Sequence, residues 1–252
     1  MRIASDMQFT TKQNPNSSSA PPWGIPATIA WLLFAFLSSV VAATVVFAAW
    51  QAERANLRTF TYDGVVITIG ALASVPVQVA VLAIAARLRN WAPARYLALN
   101  VPRRGEIVFA VLCVIALNAV FDLTMYLIGR ELVPPFQLEA YQSAKEAGWL
   151  MWLILAIVVV APFGEEIAFR GFLYRGLVRP GHEWLAIVVI SVAWALLHIQ
   201  YDWLGMTQIF AAGLMLGWFR WASGSATLTI VMHVLINCQA MLETSIKVEL
   251  LS

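Results

Sequence analysis

The chain has 252 residues, of which 61% are hydrophobic and only 12% are charged, and its mean hydropathy is +0.76. A soluble domain carries about 25% charged residues, so this composition excludes a soluble protein and predicts an all-α, polytopic integral membrane protein. The formal net charge of +2 is too small to indicate nucleic-acid binding, and two cysteines in apolar runs support neither a disulfide framework nor a cysteine-based zinc site.

The N-terminal residues 1–22 are polar and rich in Ser, Asn, Pro and Gln, which predicts a flexible tail. The first apolar segment, 25–50, is longer than the roughly 7–15 residues of a signal-peptide core. We therefore expect a retained helix there, and we expect residues 23–252 to form a single transmembrane domain.

The apolar segments predict about seven transmembrane helices, within a range of six to eight. The criterion is that a helix needs roughly 20 predominantly apolar residues to cross a bilayer core. The candidate spans are 25–50, 64–87, 106–129, 148–168, 184–200, 204–220 and 225–242.

The connection 88–105 carries four arginines and no acidic residue. By the positive-inside rule this connection is cytoplasmic. Alternation along the chain then places the N-terminus on the cytoplasmic side and the connections 51–63 and 130–147 outside. We expect the protein in the cell membrane of a prokaryote.

Polar residues interrupt three of the later spans. Two adjacent carboxylates, Glu165 and Glu166, follow an apolar run, and His198, His233 and Asn237 stand in or beside the apolar segments that come after. An ionised carboxylate in hydrocarbon is costly and two adjacent ones repel each other, so such a pair normally has a functional reason.

The spacing predicts that these side chains meet. Glu165 and His198 lie 33 residues apart, on either side of a turn signal at Pro180-Gly181. Each is therefore about 25 Å from that turn at about 1.5 Å per residue. His233 and Asn237 face one way along the last helix, roughly 14–20 Å from its start. For these four side chains to lie at one depth in the membrane, the fourth or fifth helix must be tilted, broken near 162–164, or extended beyond the membrane.

These residue types favour hydrolysis by activated water. A carboxylate beside an imidazole acts as a general base, and a second imidazole with an amide stabilises an oxyanion. Glu166 and Arg170, four residues apart, have ion-pair spacing, which leaves Glu165 as the base. No Ser or Cys stands among these residues as a nucleophile, so no covalent intermediate is expected.

Three motifs carry a family resemblance: Glu165 to Arg170 match EExxxR, Trp194 to His198 resemble FxxxH, and His233 to Asn237 match HxxxN. Their order and spacing resemble the CAAX protease and bacteriocin-processing family of intramembrane proteases. That family includes type II CAAX prenyl proteases and bacterial Abi proteins. The similarity covers about residues 148–242. Trp194 stands where the family usually has Phe.

The resemblance implies an intramembrane endopeptidase that cleaves membrane-associated peptides or proteins, lipidated ones in CAAX-type C-terminal processing. It assigns water activation to Glu165 and His198, the oxyanion site to His233 and Asn237, and a supporting ion pair to Glu166 and Arg170. No cofactor is expected.

Three alternatives stay open at this stage. One is a non-proteolytic immunity or scaffold protein of the same fold. A second is a small transporter that uses Asp122 and the glutamate pair. The third keeps hydrolysis but places zinc on Glu165, His198 and His233; we favour it less, because this spacing is not a standard zinc signature.

Overall fold

The computed structural model describes residues 21–52 and 62–250, so most of the predicted N-terminal tail lies outside the described residues. The described residues form nine helices and no strand, which confirms the all-α prediction. The helices are α1 Ile25–Ala52, α2 Gly64–Arg87, α3 Pro93–Tyr96, α4 Arg104–Leu127, α5 Pro135–Glu146, α6 Leu150–Leu177, α7 Glu183–Leu196, α8 Trp203–Ser223 and α9 Ala226–Leu250.

Each of the seven predicted spans contains a helix. Five helices, α1, α2, α4, α6 and α9, are long and apolar enough to cross a membrane, and α7 is a shorter apolar helix. With α8, these helices confirm a polytopic membrane protein of about seven spans. The fold is consistent with lipid contact, because α1 exposes a row of large apolar side chains that includes Leu33, Leu37 and Val41.

Two spans, α6 and α9, end nine and eight residues later in the structure than predicted. α6 continues to Leu177 instead of 168, because neighbouring helices bury residues 167–174, including the Arg170 side chain. α9 continues to Leu250 instead of 242, where the Glu249 carboxylate accepts hydrogen bonds from Lys145 of α5. A prediction from hydropathy ends a span where polar residues begin. These polar residues have partners within the protein, so the helices continue beyond the predicted ends.

The turns that set the helix order have clear local causes. The predicted Pro180-Gly181 turn lies between α6 and α7, and Gly181 adopts a positive φ of 79°. Gly224 ends α8 in the left-handed conformation at φ 68°. Asp202 begins α8, because its carboxylate accepts a hydrogen bond from the backbone N–H of Gly205 at 2.9 Å. These turns bring α6, α7, α8 and α9 together as neighbours.

α6 lies at the centre of the bundle and packs against α1, α2, α5, α7, α8 and α9. It continues through Pro162 with π-helical segments on either side, Ala156–Val160 and Ile167–Leu173. Its 28 residues are more than the roughly 20 that cross a bilayer core. The helix is therefore long and widened instead of broken at 162–164, which agrees with the tilted or extended alternatives.

Side chains from neighbouring helices satisfy backbone carbonyls of α6 around these π-helical segments. Gln78 of α2 donates to the Gly164 carbonyl at 3.0 Å, and Asn237 of α9 donates to the Ile157 carbonyl at 2.9 Å. Arg220 of α8 donates to the Arg170 carbonyl at 2.8 Å. π-helical turns shift the backbone hydrogen-bond pattern and occur often at functional sites. Here they are held by polar residues from three different helices.

Candidate active site

The four residues predicted to act chemically line one cavity. Its volume is about 840 Å³, and Glu165, His198, His233 and Asn237 all contribute to its wall. The cavity continues from these side chains to the end of the bundle formed by residues 129–137 and 200–202. The structure therefore brings together side chains from α6, α9 and the turn after α7, as the spacing predicted.

Glu165 is half-buried and has one well-defined hydrogen-bond donor. The indole N–H of Trp194 donates to its Oε2 atom at 2.6 Å. Among the described residues no side chain donates to the other oxygen, Oε1. A carboxylate with one oxygen held and one free at a cavity wall is suited to accept a proton from a bound molecule.

His198 lies in the turn after α7 and is held by a backbone group. Its Nδ1 atom is 2.8 Å from the carbonyl oxygen of Trp194. A carbonyl only accepts, so Nδ1 carries the proton, and in the neutral ring Nε2 has a free lone pair. This arrangement presents Nε2 of His198 as a base or hydrogen-bond acceptor.

Glu166 and Arg170 form the predicted ion pair, with 2.8 Å between Glu166 Oε1 and Arg170 Nη1. Both side chains are buried, at 0% and 1% exposure, and neither lines the cavity. Arg170 also donates to the Gly213 carbonyl at 3.3 Å, and its guanidinium lies 4.5 Å from the centre of the Trp194 ring. This geometry agrees with a supporting position behind the cavity wall.

His233 joins the ion pair to the cavity. Its Nδ1 atom is 3.0 Å from the same Glu166 oxygen, Oε1, that Arg170 contacts. The carboxylate accepts, so Nδ1 carries a proton, and Nε2 is the second ring nitrogen. When Nε2 also carries a proton it can donate a hydrogen bond, as the oxyanion role requires.

Asn237 lies one helical turn after His233 on α9. One N–H of its amide donates to the Ile157 carbonyl, which fixes the amide plane. An amide nitrogen has two donors, so the second N–H remains for the cavity. Asn237 thus combines a structural contact with a donor beside His233.

Several residues at the site were not singled out in the sequence. Tyr201 lines the cavity beside His198, and its hydroxyl accepts a hydrogen bond from Gln137 of α5 at 2.8 Å. Burial raises the pKa of this phenol, so it stays neutral. Tyr201 stands in a connection between helices, where the sequence gives no signal. Gln78, which donates to the Gly164 carbonyl beside Glu165, interrupts an apolar helix as His233 does, so the sequence could have indicated it.

A second polar group lines the same cavity. The amide of Gln239 accepts from Asn118 at 2.6 Å and donates to Asp122 at 2.9 Å and Glu243 at 2.7 Å. These contacts join α4 to α9. Asp122, the residue central to the transporter alternative, is thus part of a side-chain network between two helices.

At the rim of the cavity Asp202 faces Arg130, with which it forms an exposed ion pair. The backbone N–H of Gly205, together with Arg130, holds the pKa of the Asp202 carboxyl below its usual range. This contact links the end of α4 to the start of α8 across the rim.

The zinc alternative requires a set of side chains that converge on one point. Within residues 21–52 and 62–250, no three or more His, Cys, Asp or Glu side chains are arranged to hold a metal ion. The Nδ1 atoms of His198 and His233 are bonded to a carbonyl and a carboxylate, which leaves Nε2 of each ring as the nitrogen for a ligand. The metal-free mechanism therefore stays a prediction.

Comparison with known proteins identifies the region around this cavity. Residues 147–239 match the family model described as type II CAAX prenyl endopeptidase Rce1-like, which confirms the resemblance of the three motifs. An uncharacterized 24.3 kDa protein of Escherichia coli is 27% identical over 123 residues, and the match covers 46% of this chain and 56% of that protein. The chain thus spans about half the length of this relative. No solved structure matches the chain.

Proposed function

We propose that this integral membrane protein, whose residues 147–239 form a type II CAAX prenyl endopeptidase Rce1-like region, is an intramembrane endopeptidase that uses activated water. The observation that carries the proposal is the convergence of Glu165, His198, His233 and Asn237 on one cavity. The family match supports a CAAX-type protease in general, and the geometry supports these residues in particular.

In the proposed reaction a water molecule lies between Glu165 and His198. The free oxygen of Glu165 accepts a proton as the water oxygen forms a bond with the scissile carbonyl carbon, and Nε2 of His198 orients the water. The proton then passes to the leaving amine nitrogen as the carbon–nitrogen bond breaks. The products are a new carboxyl terminus and a new amino terminus, and no covalent enzyme intermediate forms.

The tetrahedral intermediate carries an oxyanion that needs donors. Asn237 and His233 lie one helical turn apart, and both line the cavity. In our proposal the second N–H of Asn237 and an N–H on Nε2 of His233 donate to this oxygen. Preorganised donors in a water-poor site stabilise such charge strongly. Glu166 holds the His233 ring through its Nδ1 atom, and Arg170 balances the charge of Glu166.

The proposed substrate is a membrane-associated peptide or protein, with lipidated substrates in the CAAX-type case. Apolar side chains such as Leu117, Phe121 and Ile236 line the cavity beside the polar ones, which suits a chain segment drawn from the bilayer. The cavity reaches residues 129–137, which lie in or beside the connection 130–147. The predicted orientation, with the arginine-rich connection 88–105 and the N-terminus in the cytoplasm, places that connection outside. On this orientation the cavity extends toward the outer side of the prokaryotic cell membrane.

The test is a search for new termini in cells. The gene is deleted in its host and restored as wild type, as Glu165→Gln, or as Glu146→Gln, which changes an exposed glutamate of α5. We expect membrane-protein or propeptide fragments that appear with wild type and Glu146→Gln and are absent with Glu165→Gln. A set of termini that is the same in all three strains contradicts the proposal and favours the scaffold alternative, because scaffolding does not need a basic Glu165.

A further inference from the structure

Trp194 contacts four residues of the proposed active site, namely Glu165, His198, His233 and Arg170. Its side chain is 3% exposed and lies in the last turn of α7. Its indole N–H donates to Glu165 and its carbonyl accepts from His198. Its ring centre lies 5.2 Å from the imidazole centres of both His198 and His233. The guanidinium of Arg170 lies 4.5 Å from the same ring centre.

We infer that Trp194 is a positioning residue that orients both water-activating groups, Glu165 through its indole N–H and His198 through its carbonyl. This inference rests on the proposed function. Indole has one N–H and no acceptor, so its hydrogen bond at 2.6 Å to Oε2 of Glu165 has a single possible direction. The bond fixes which carboxylate oxygen is held and which faces the cavity.

The second contact acts on the tautomer of His198. With Nδ1–H donating to the Trp194 carbonyl at 2.8 Å, the lone pair of Nε2 is the one that remains for water. Because both contacts come from one residue, the relative placement of Glu165 and His198 depends on a single rigid side chain and its own backbone. A shift of about 1 Å in such a pair can cost about 10²-fold in rate.

The ring and the N–H are separable parts of Trp194. The edge-to-face contacts with His198 and His233 and the contact with Arg170 need only an aromatic ring. The bond to Glu165 needs the N–H. The Phe usual at this position in the resembled motif would supply the first and not the second, so in this chain the indole nitrogen adds a contact that the motif does not require.

The closing experiment removes only the N–H. Position 194 is replaced by β-(3-benzothienyl)alanine, a close isostere of Trp with sulfur in place of N–H, and separately by Phe. The same replacements at Trp184 serve as matched controls, because that side chain lies on the same helix and is 54% exposed. Steady-state cleavage is measured in proteoliposomes with a peptide substrate identified from the termini search, together with the melting temperature of each variant.

We expect kcat to fall about 10- to 100-fold in both position-194 variants, with KM close to wild type and no change at position 184. The melting temperature should stay close to wild type in the benzothienyl variant and be lower in Trp194→Phe, which leaves a cavity. In the Glu165→Gln background the benzothienyl replacement should cost little more, because the group that it positions has already lost its function. Loss of folding with no kcat change in the folded fraction, or full additivity with Glu165→Gln, overturns the inference.

An NMR readout separates this inference from the proposed function. In indole-¹⁵N-labelled protein the Trp194 N–H resonance is assigned by its loss in Trp194→Phe. We expect a downfield proton shift that moves upfield in Glu165→Gln, because a neutral amide is a weaker acceptor than a carboxylate. A resonance that does not respond to Glu165→Gln refutes the bond, even where cleavage fails for other reasons.

Discussion

Replacement of Arg170 by Met tests the buried ion pair behind the cavity. Arg170→Met keeps much of the side-chain volume and removes the positive charge. The Glu166 carboxylate, which is 0% exposed, then loses the arginine at 2.8 Å and keeps the contact with His233. Removing one partner of a buried ion pair costs about 3–5 kcal/mol, so we expect lower folded yield and lower activity together.

The double variant Glu166→Gln with Arg170→Met separates charge from shape. It removes both charges, and replacement of a whole buried pair by neutral groups is often nearly neutral in stability. We therefore expect the double variant to recover most of the stability lost in Arg170→Met, a non-additivity typical of residues in direct contact.

The assay is thermal unfolding in detergent micelles followed by size-exclusion chromatography, with cleavage measured on the monodisperse fraction. Lys145→Met is the control, since it breaks the exposed pair with Glu249 and should leave the melting temperature unchanged. An Arg170→Met protein as stable as wild type and without activity would refute a structural role for the ion pair. It would indicate instead that Arg170 takes part in the reaction.

Three further predictions concern the oxyanion donors, the metal-free mechanism and the topology. Asn237→Ala should lower kcat by about 10²–10³-fold with little change in KM, as for loss of one oxyanion donor; a pure KM effect would contradict that role. Activity should survive exhaustive chelation in metal-free protein, whereas zinc at one ion per chain with chelator-reversible activity would support the zinc alternative. In a protein with Cys113 and Cys238 replaced by Ala, a cysteine at the exposed position Gln142 should react with an impermeant thiol reagent on intact cells. A cysteine at Val101 should react only after permeabilisation, and the reverse pattern would overturn the predicted orientation.

The sequence was most informative where chemistry and spacing coincide. Charged residues in hydrocarbon are rare enough that Glu165 and Glu166 by themselves mark α6 as the helix of the candidate site. The turn at Pro180-Gly181 allowed the meeting of Glu165 and His198 to be worked out from helix rise, and both now line one cavity. The Glu166–Arg170 pair followed from i,i+4 spacing, and its atoms lie 2.8 Å apart.

The sequence was less informative where a contact depends on the direction of a single backbone group. The π-helical turns of α6 and the carbonyls that Gln78, Asn237 and Arg220 satisfy have no pattern in composition or hydropathy. The sequence placed Trp194 only where the resembled motif usually has Phe, which gives no sign of its hydrogen bond to Glu165. Its indole N–H reaches Glu165 through the packing of α7 on α6, which is a tertiary contact between residues 29 apart in the chain.

The most direct test of the account is the rate of the Glu165→Gln enzyme. This change keeps the shape of the side chain and removes its basicity, so we expect cleavage of a defined peptide by purified, reconstituted protein to fall by about 10²-fold or more. The melting temperature and expression should match those of wild type and of Glu146→Gln. Wild-type turnover in a normally folded Glu165→Gln protein would contradict the central claim that Glu165 activates water.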